Sequence, residues 1–209
     1  MVLTSTRFVL AVGALALTLT ACGVESSPGV RPAAGVTGSR PAQALLVAAS
    51  DLPEGFRDSG GQSPGYAQQV CGVDLEPSPP VQTADARFSQ GPLGPFVEQR
   101  VRVYDDDSAA AMMARLRRAL AACDHYDLTA SATAPAASID VEPLRLPALG
   151  EESLAWRQTP RTSLPVTTDV VLIRTGRTVV LVTSYALKQA PDGDTARVAA
   201  QAAAKRLSA

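Results

Sequence analysis

Thr168–Tyr185 reads TDVVLIRTGRTVVLVTSY, two runs of Val, Ile, Leu and Thr on either side of Thr175-Gly176. β-branched residues pack well on a pleated surface, and a glycine-containing pair between two such runs is a hairpin connection. Mirror pairing about Thr175-Gly176 sets Leu172 opposite Val179 and Val171 opposite Val180. Both faces are then apolar at the centre, as in interior strands covered on both sides. An interior hairpin needs neighbours, so the rest of the chain has to supply flanking strands and covering helices.

Upstream, Ser153–Gln158 is a short strand carrying Trp156, set off by the turn Leu149-Gly150-Glu151-Glu152-Ser153. Ile139–Leu146 alternates as Ile139, Val141, Pro143 against Asp140 and Glu142, and its proline makes it an edge strand. Phe96–Tyr104 also alternates. Val97, Val101 and Val103 lie on one face, and Glu98, Arg100 and Arg102 on a solvated one. Between these strands, Asp105-Asp106-Asp107-Ser108 opens a helix reaching Cys123, with Asp107 or Ser108 as its cap. Met112, Leu116, Leu120 and Cys123 form its apolar stripe. Glu76–Pro95 is proline-rich and loop-like, Ser131–Ser138 is an Ala/Ser/Thr loop, and Tyr66–Cys71 is a short helix. Downstream, a closing Ala-rich helix starts near Thr195 and turns Val198, Ala202 and Leu207 inward. The expected class is α+β, a single domain with a twisted antiparallel sheet and its helices packed mainly on one face.

The N-terminus is a separate signal. Arg7 precedes an uncharged run, Phe8–Leu19, of roughly a dozen residues, too short to span a bilayer but of the right length for a secretory h-region. It ends in Leu19-Thr20-Ala21-Cys22, which resembles the lipobox of bacterial lipoprotein precursors. That resemblance implies a signal peptide at 1–21 and a diacylglycerol on the Cys22 thiol, with palmitate-type acyl chains holding the protein on the extracytoplasmic face of the cell membrane. Residues 22–40 are rich in Gly, Pro and Ser and read as a lipid-bearing flexible tether, with an r.m.s. span as a coil of roughly 20–25 Å. The folded domain is 41–209. Of the three cysteines, Cys71 and Cys123 remain once Cys22 is acylated, and an even pair in an oxidising compartment is expected as a disulfide.

Charge excludes one class of partner. With 19 basic against 20 acidic residues, no basic surface for nucleic acid is expected. No cofactor or metal is expected either: the Asp105–Asp107 run lacks the spacing of a calcium loop, and His125 is the single histidine. His125, flanked by Asp124 and Tyr126, is favoured at a helix C-terminus by the dipole alone, and no G-x-S-x-G nucleophile elbow is expected in the chain to serve it. Glu151 and Glu152 fail as an acid–base pair because neighbours on a strand point to opposite faces. Arg174 and Arg177 flank the hairpin turn as a solvated pair. Trp156 and Arg157 are candidates to line a pocket through aromatic and cation contacts.

LLVAASDLPEGF, the helix ending at Cys123, LPALGEESLAW and VVLIRTGRTVVLV occur together in an order similar to that of actinobacterial exported lipoproteins. The chain in particular resembles the extracellular sensor domain of PknH-type receptor kinases. The resemblance covers most of 44–207 and implies a strongly twisted antiparallel sheet packed with helices and a ligand-binding cleft. That family carries two disulfides; this chain has cysteines for one. The expected function is a membrane-anchored, non-catalytic ligand-binding or sensor-like domain for a small-molecule or envelope ligand. The alternative is a carrier of lipids or other apolar molecules. Both helices on one face would leave a groove on the other, bordered by Trp156 and by the strand ending at Tyr104.

Overall fold

The computed structural model describes residues 40–60, 69–129, 136–187 and 190–209. The proposed signal peptide, Cys22 and all but the last residue of the tether lie outside the described residues. In chain order the strands are β1 (Arg57–Asp58), β2 (Gln69–Val70), β3 (Val73–Asp74), β4 (Gln82–Ser89), β5 (Phe96–Val103), β6 (His125–Leu128), β7 (Ala137–Pro143), β8 (Glu152–Pro160), β9 (Thr168–Thr175) and β10 (Thr178–Tyr185). The helices are α1 (Ser108–Leu120) and α2 (Asp194–Ser208), with 3₁₀ turns at Ala42–Leu45 and Ala49–Asp51. Eight strands form one antiparallel sheet in the order β1-β4-β5-β10-β9-β8-β7-β6, and β2 pairs with β3 separately. The expected α+β class with a large antiparallel sheet holds.

The decisive hairpin is central, as its two apolar faces require, but its register is displaced by two. Leu172 faces Leu181, Val171 faces Val182 and Thr175 faces Thr178, so the turn is Gly176-Arg177. Gly176 takes a φ of 57° while Arg177 keeps a negative one. This is the requirement of a type II′ connection, which matches the strand twist with glycine in its first position. A slip of two keeps every side chain on its expected face, whereas a slip of one would have inverted them all.

The expectation that the helices share one face is overturned. Val171, Ile173, Val180 and Val182 pack with α2 and the 3₁₀ turns, together with Val97, Val101 and Val103 of β5. Val170, Leu172 and Val179 pack with Met112, Met113 and Leu116 of α1, and Trp156, Tyr104 and Val141 join them. The reason is in β9 and β10 themselves: a strand pair apolar on both sides has to be covered on both sides. α2 meets the sheet through Ala196, Ala199, Ala200 and Ala203, with Val198, Ala202 and Leu207 only partly buried. Small side chains at i, i+3, i+4 and i+7 let the helix lie close, so the expected inward stripe is rotated.

Other sequence expectations shift for local reasons. Gln82–Ser89 is a strand, not a loop: Ala84, Ala86 and Phe88 alternate with Thr83, Asp85 and Arg87 and pair with β5. Gln69–Val70 is a strand, not a helix. Cys71 (φ 50°) and Gly72 (φ 74°) make the tight turn that returns the chain to Val73, and the other residues of the expected Tyr66–Cys71 helix lie outside the described ones. β7 is not the edge, because β6 pairs outside it over Ala137–Asp140 and Pro143 lies beyond that pairing. The polar face of β5 is not solvated either: Glu98 is buried, and Arg102 bonds Glu76 and Asp85. At α1 the N-cap is Asp107, one of the two expected residues, but its side chain makes no capping bond, and it is Asp106 that accepts the Ser108 N–H at 3.0 Å.

Candidate functional site

Three chain segments meet at one end of the central strands. They are the β4–β5 loop, the β8–β9 loop and the residues after β10. Strand register dictates the meeting, because Ser89 faces Phe96, Phe96 faces Tyr185 and Tyr185 faces Thr168. Each loop therefore departs from the same edge. The Leu187 N–H donates to the Leu93 carbonyl at 2.9 Å and stitches two of the loops together. The Thr159 and Thr167 hydroxyls approach to 3.4 Å across the third. Gly94, at φ 91°, is needed where it stands: a Cβ there would lie 2.9 Å from the Phe96 ring.

Between the loops is a cavity of about 630 Å³ lined by Leu93, Leu164, Pro165, Val166, Thr167, Leu187 and Ala190. This is in the usual size range of small-molecule sites. Its rim is unusual. Among the described residues, four large apolar side chains are exposed, and three surround this cavity: Leu164 at 82%, Leu93 at 49% and Leu187 at 36%. Isolated exposed leucines are ordinary, but three converging from separate loops on one apolar hollow make it a candidate binding surface. A second, smaller crevice of about 460 Å³ is lined in part by Asp51, Lys205 and Arg206. It is the seat of the Asp51–Arg206 ion pair; the hydrogen bond from the Ala48 N–H, and then that from Arg206, hold the Asp51 carboxyl below its ordinary value. The apolar cavity is the better candidate.

Behind the apolar loops is a polar and aromatic bracket. Phe96 and Tyr185 stack with ring centroids 5.0 Å apart, and the Arg87 guanidinium lies 5.0 Å from the Phe96 ring centre. Arg87 donates to the Tyr185 hydroxyl at 3.2 Å, and that hydroxyl donates to the Glu98 carboxylate at 2.7 Å. Arg87 also pairs with Glu98 at 3.2 Å. Burial, and then the hydrogen bond with Glu98, push the Tyr185 phenol up to about 12. A second bracket is Arg157, which binds the fully buried Asp169 and also donates to the Pro191 carbonyl at 3.1 Å. Pro191 directly follows Ala190 of the cavity wall.

The residues singled out from the sequence fall elsewhere. Trp156 and Tyr104 are each 1% exposed in the core beneath α1, where neither the indole N–H nor the phenol has a hydrogen-bond partner among the described residues. They do not border the apolar cavity. Arg157, proposed beside Trp156, points to the other face and serves Asp169. Cys71 and Cys123 are bonded, so the expected disulfide is present and ties the β2–β3 turn to the end of α1. Cys22 lies outside the described residues. His125 is exposed and meets Asp124 at 2.7 Å, a contact that holds the Asp124 carboxyl below its ordinary value. Glu151 and Glu152 do converge, because Glu151 precedes the strand, and Arg174 ties both down at 2.8 and 3.1 Å. That occupies the carboxylates and takes Arg174 out of the solvated pair expected with Arg177.

One stretch overturns the expectation that the chain contains no G-x-S-x-G spacing. Gly61-Gln62-Ser63-Pro64-Gly65 has the G-x-S-x-G spacing and lies outside the described residues. An elbow needs the backbone N–H of the residue after the serine as an oxyanion donor. Pro64 has none, so the motif lacks that part of the chemistry in its sequence alone.

The cavity residues were absent from the sequence reading. Their signal is leucine among prolines and glycines, in Gly91-Pro92-Leu93-Gly94-Pro95 and Leu164-Pro165. No helix or strand period places a large apolar side chain in such a segment, so the sequence does not say whether it joins the core: Leu52, before Pro53, is buried, and Leu164, before Pro165, is exposed.

No protein-family model matches the chain, and no curated protein matches it in sequence. Among solved structures it is similar to the crystal structure of the extracellular domain of PknH from Mycobacterium tuberculosis, with a TM-score of 0.46 and 14% identity. The similarity covers 61% of this chain and 64% of that one, so this chain spans less than two thirds of that domain.

Proposed function

We propose that this protein is an extracytoplasmic lipoprotein, anchored to the cell membrane through Cys22, whose folded domain binds a small apolar ligand without turning it over. The observation that carries this reading is the cavity of about 630 Å³ ringed by Leu93, Leu164 and Leu187. Apolar side chains held open to water cost solvation free energy, and a ligand that removes them from water recovers it. Arg87, Glu98, Tyr185 and Arg157 act as scaffold: each is engaged with protein partners close behind the loops, which positions a site without attacking a substrate. The lipobox, the tether and the disulfide agree with a domain displayed outside the cytoplasm. The domain's role is then sensor-like, reporting occupancy, or that of a carrier passing an apolar molecule between envelope layers. The openness of the cavity to one end of the fold favours neither over the other.

The test uses the apolar fluorophore N-phenyl-1-naphthylamine. Its emission should rise saturably on mixing with the protein, and Ala190→Trp, which fills the cavity from an exposed backbone position, should weaken that binding about tenfold. An unchanged melting temperature in the variant would tie the loss to the site. Equal binding by Ala190→Trp and wild type would remove the cavity from the argument.

A further inference from the structure

Beyond ligand binding, the exposed leucines among the described residues are confined to one end of the central strands. Leu93, Leu164 and Leu187 come from three different loops at the same end of β4, β5, β9 and β10. The fourth exposed large apolar residue, Val81, is at the other end, where its N–H donates to the Val103 carbonyl. The folded chain also begins at that other end: the Ala42 N–H donates to Gln82, which faces Val103 in the register. The two ends are separated by eight-residue strands, about 26 Å at the rise of a β-strand.

We propose that the leucine-rimmed end docks on a lipid bilayer, the three leucines entering the headgroup and upper acyl region around the mouth of the cavity. The occupant is a bilayer rather than a protein partner for two reasons. The exposed contacts are leucines on loops, Leu93 between Pro92 and Gly94, Leu164 before Pro165 and Leu187 just past β10, and such side chains bury readily in a fluid apolar phase without a shaped complement. The second reason is the chain outside the described fold, and it rests on the reading of Cys22 as the lipid attachment point. Residues 23–40, fully extended at roughly 3.3–3.6 Å each, reach about 60 Å. This more than spans the length of the strands, so a domain anchored through Cys22 can turn its far end back onto the same membrane. A cavity whose mouth rests on a bilayer then exchanges apolar molecules with the bilayer and not with water.

The experiment uses the mature chain with Cys22→Ser, exported behind a non-lipoprotein signal, so that no acyl chain contributes. Flotation with phosphatidylethanolamine–phosphatidylglycerol vesicles should show binding that persists in about 1 M salt, where charge attraction is screened to about 3 Å. Leu164→Asp should lower vesicle partitioning on the order of tenfold, and Val81→Asp, at the far end, should leave it unchanged. Leu164→Trp should show a blue-shifted emission quenched by brominated acyl chains. Loss of binding in high salt, equal loss in Val81→Asp, or an indole emission of the Leu164→Trp variant insensitive to brominated lipid would each overturn the docking. Both aspartate variants carry a substitution at an exposed site, and their thermal melts check folding. If vesicles fail to bind while N-phenyl-1-naphthylamine still does, docking is wrong and the ligand site stands; if the fluorophore fails while vesicles bind, the reverse holds.

Discussion

Asp169, with no exposed surface, receives two hydrogen bonds from Arg157, at 2.6 Å from Nε and 2.9 Å from Nη2. The Asp169 hydrogen bond is also the largest cause of the raised Arg157 pKa, burial opposing it. Because Arg157 reaches on to Pro191, this pair holds the segment that leads from the cavity wall into α2. Arg157→Met leaves a buried carboxylate without its partner and should destabilise the fold by about 3–5 kcal/mol in urea unfolding. The double variant Arg157→Met/Asp169→Leu removes both charges and should recover much of that loss. A double variant no more stable than the single would show that packing, and not the uncompensated charge, sets the cost.

The Cys71–Cys123 bond closes a separation of 52 residues and should stabilise the protein by about 4 kcal/mol on the chain-entropy account. Cys71 also sits at φ 50°, a left-handed conformation that costs an L residue roughly 1 kcal/mol. Two variants separate these effects. Cys71→Ser/Cys123→Ser loses the cross-link and keeps the strain, whereas Cys71→Gly/Cys123→Ser loses the cross-link and relieves it. The glycine variant should be the more stable of the two by about 1 kcal/mol. Equal midpoints would mean that the turn is not strained.

Alkaline pH should unfold this domain through its tyrosines. Burial, the first cause in each case, pushes the Tyr104, Tyr126 and Tyr185 phenols up to about 12 from an ordinary 10.0. A raised folded pKa means that the unfolded chain releases its proton first. The stability it represents is complete below pH 10 and is lost as pH rises from 10 toward 12. Phenolate absorbance and loss of near-ultraviolet circular dichroism should therefore rise together in that window. Phenols titrating near pH 10 in a folded domain would contradict their burial. Tyr185→Phe also removes the hydrogen bond to Glu98 and should cost about 1.5–3 kcal/mol at neutral pH.

Cys22→Ala tests the proposed anchor separately from the fold. The protein should leave the membrane fraction or accumulate as uncleaved precursor, because neither acylation nor the cleavage that follows it can proceed without the thiol. Wild-type processing and fractionation in this variant would remove the lipoprotein from the account, leaving the domain and its cavity as they are.

Much of this protein is determined by sequence alone. The central hairpin follows from TDVVLIRTGRTVVLVTSY, since only interior strands place Val and Leu on both faces. The helix through Met112 and Leu116, the closing alanine-rich helix and the disulfide follow from periodicity and cysteine arithmetic. Each of these is a local or compositional signal. Tertiary structure decided what depends on partners distant in the chain. β4 is a strand because β5 pairs with it, although its alternating alanines carry little β preference. The buried amide of Gln99 binds the Val47 N–H at 2.7 Å and the Leu45 carbonyl at 3.0 Å, which no local pattern specifies. The division of α1 and α2 between the two faces depends on both faces of one hairpin competing for cover. The cavity exists because register brings Leu93, Leu164 and Leu187 to one edge, and register is a property of pairs of strands: a sequence states which side chains are apolar, but only the pairing states which of them meet.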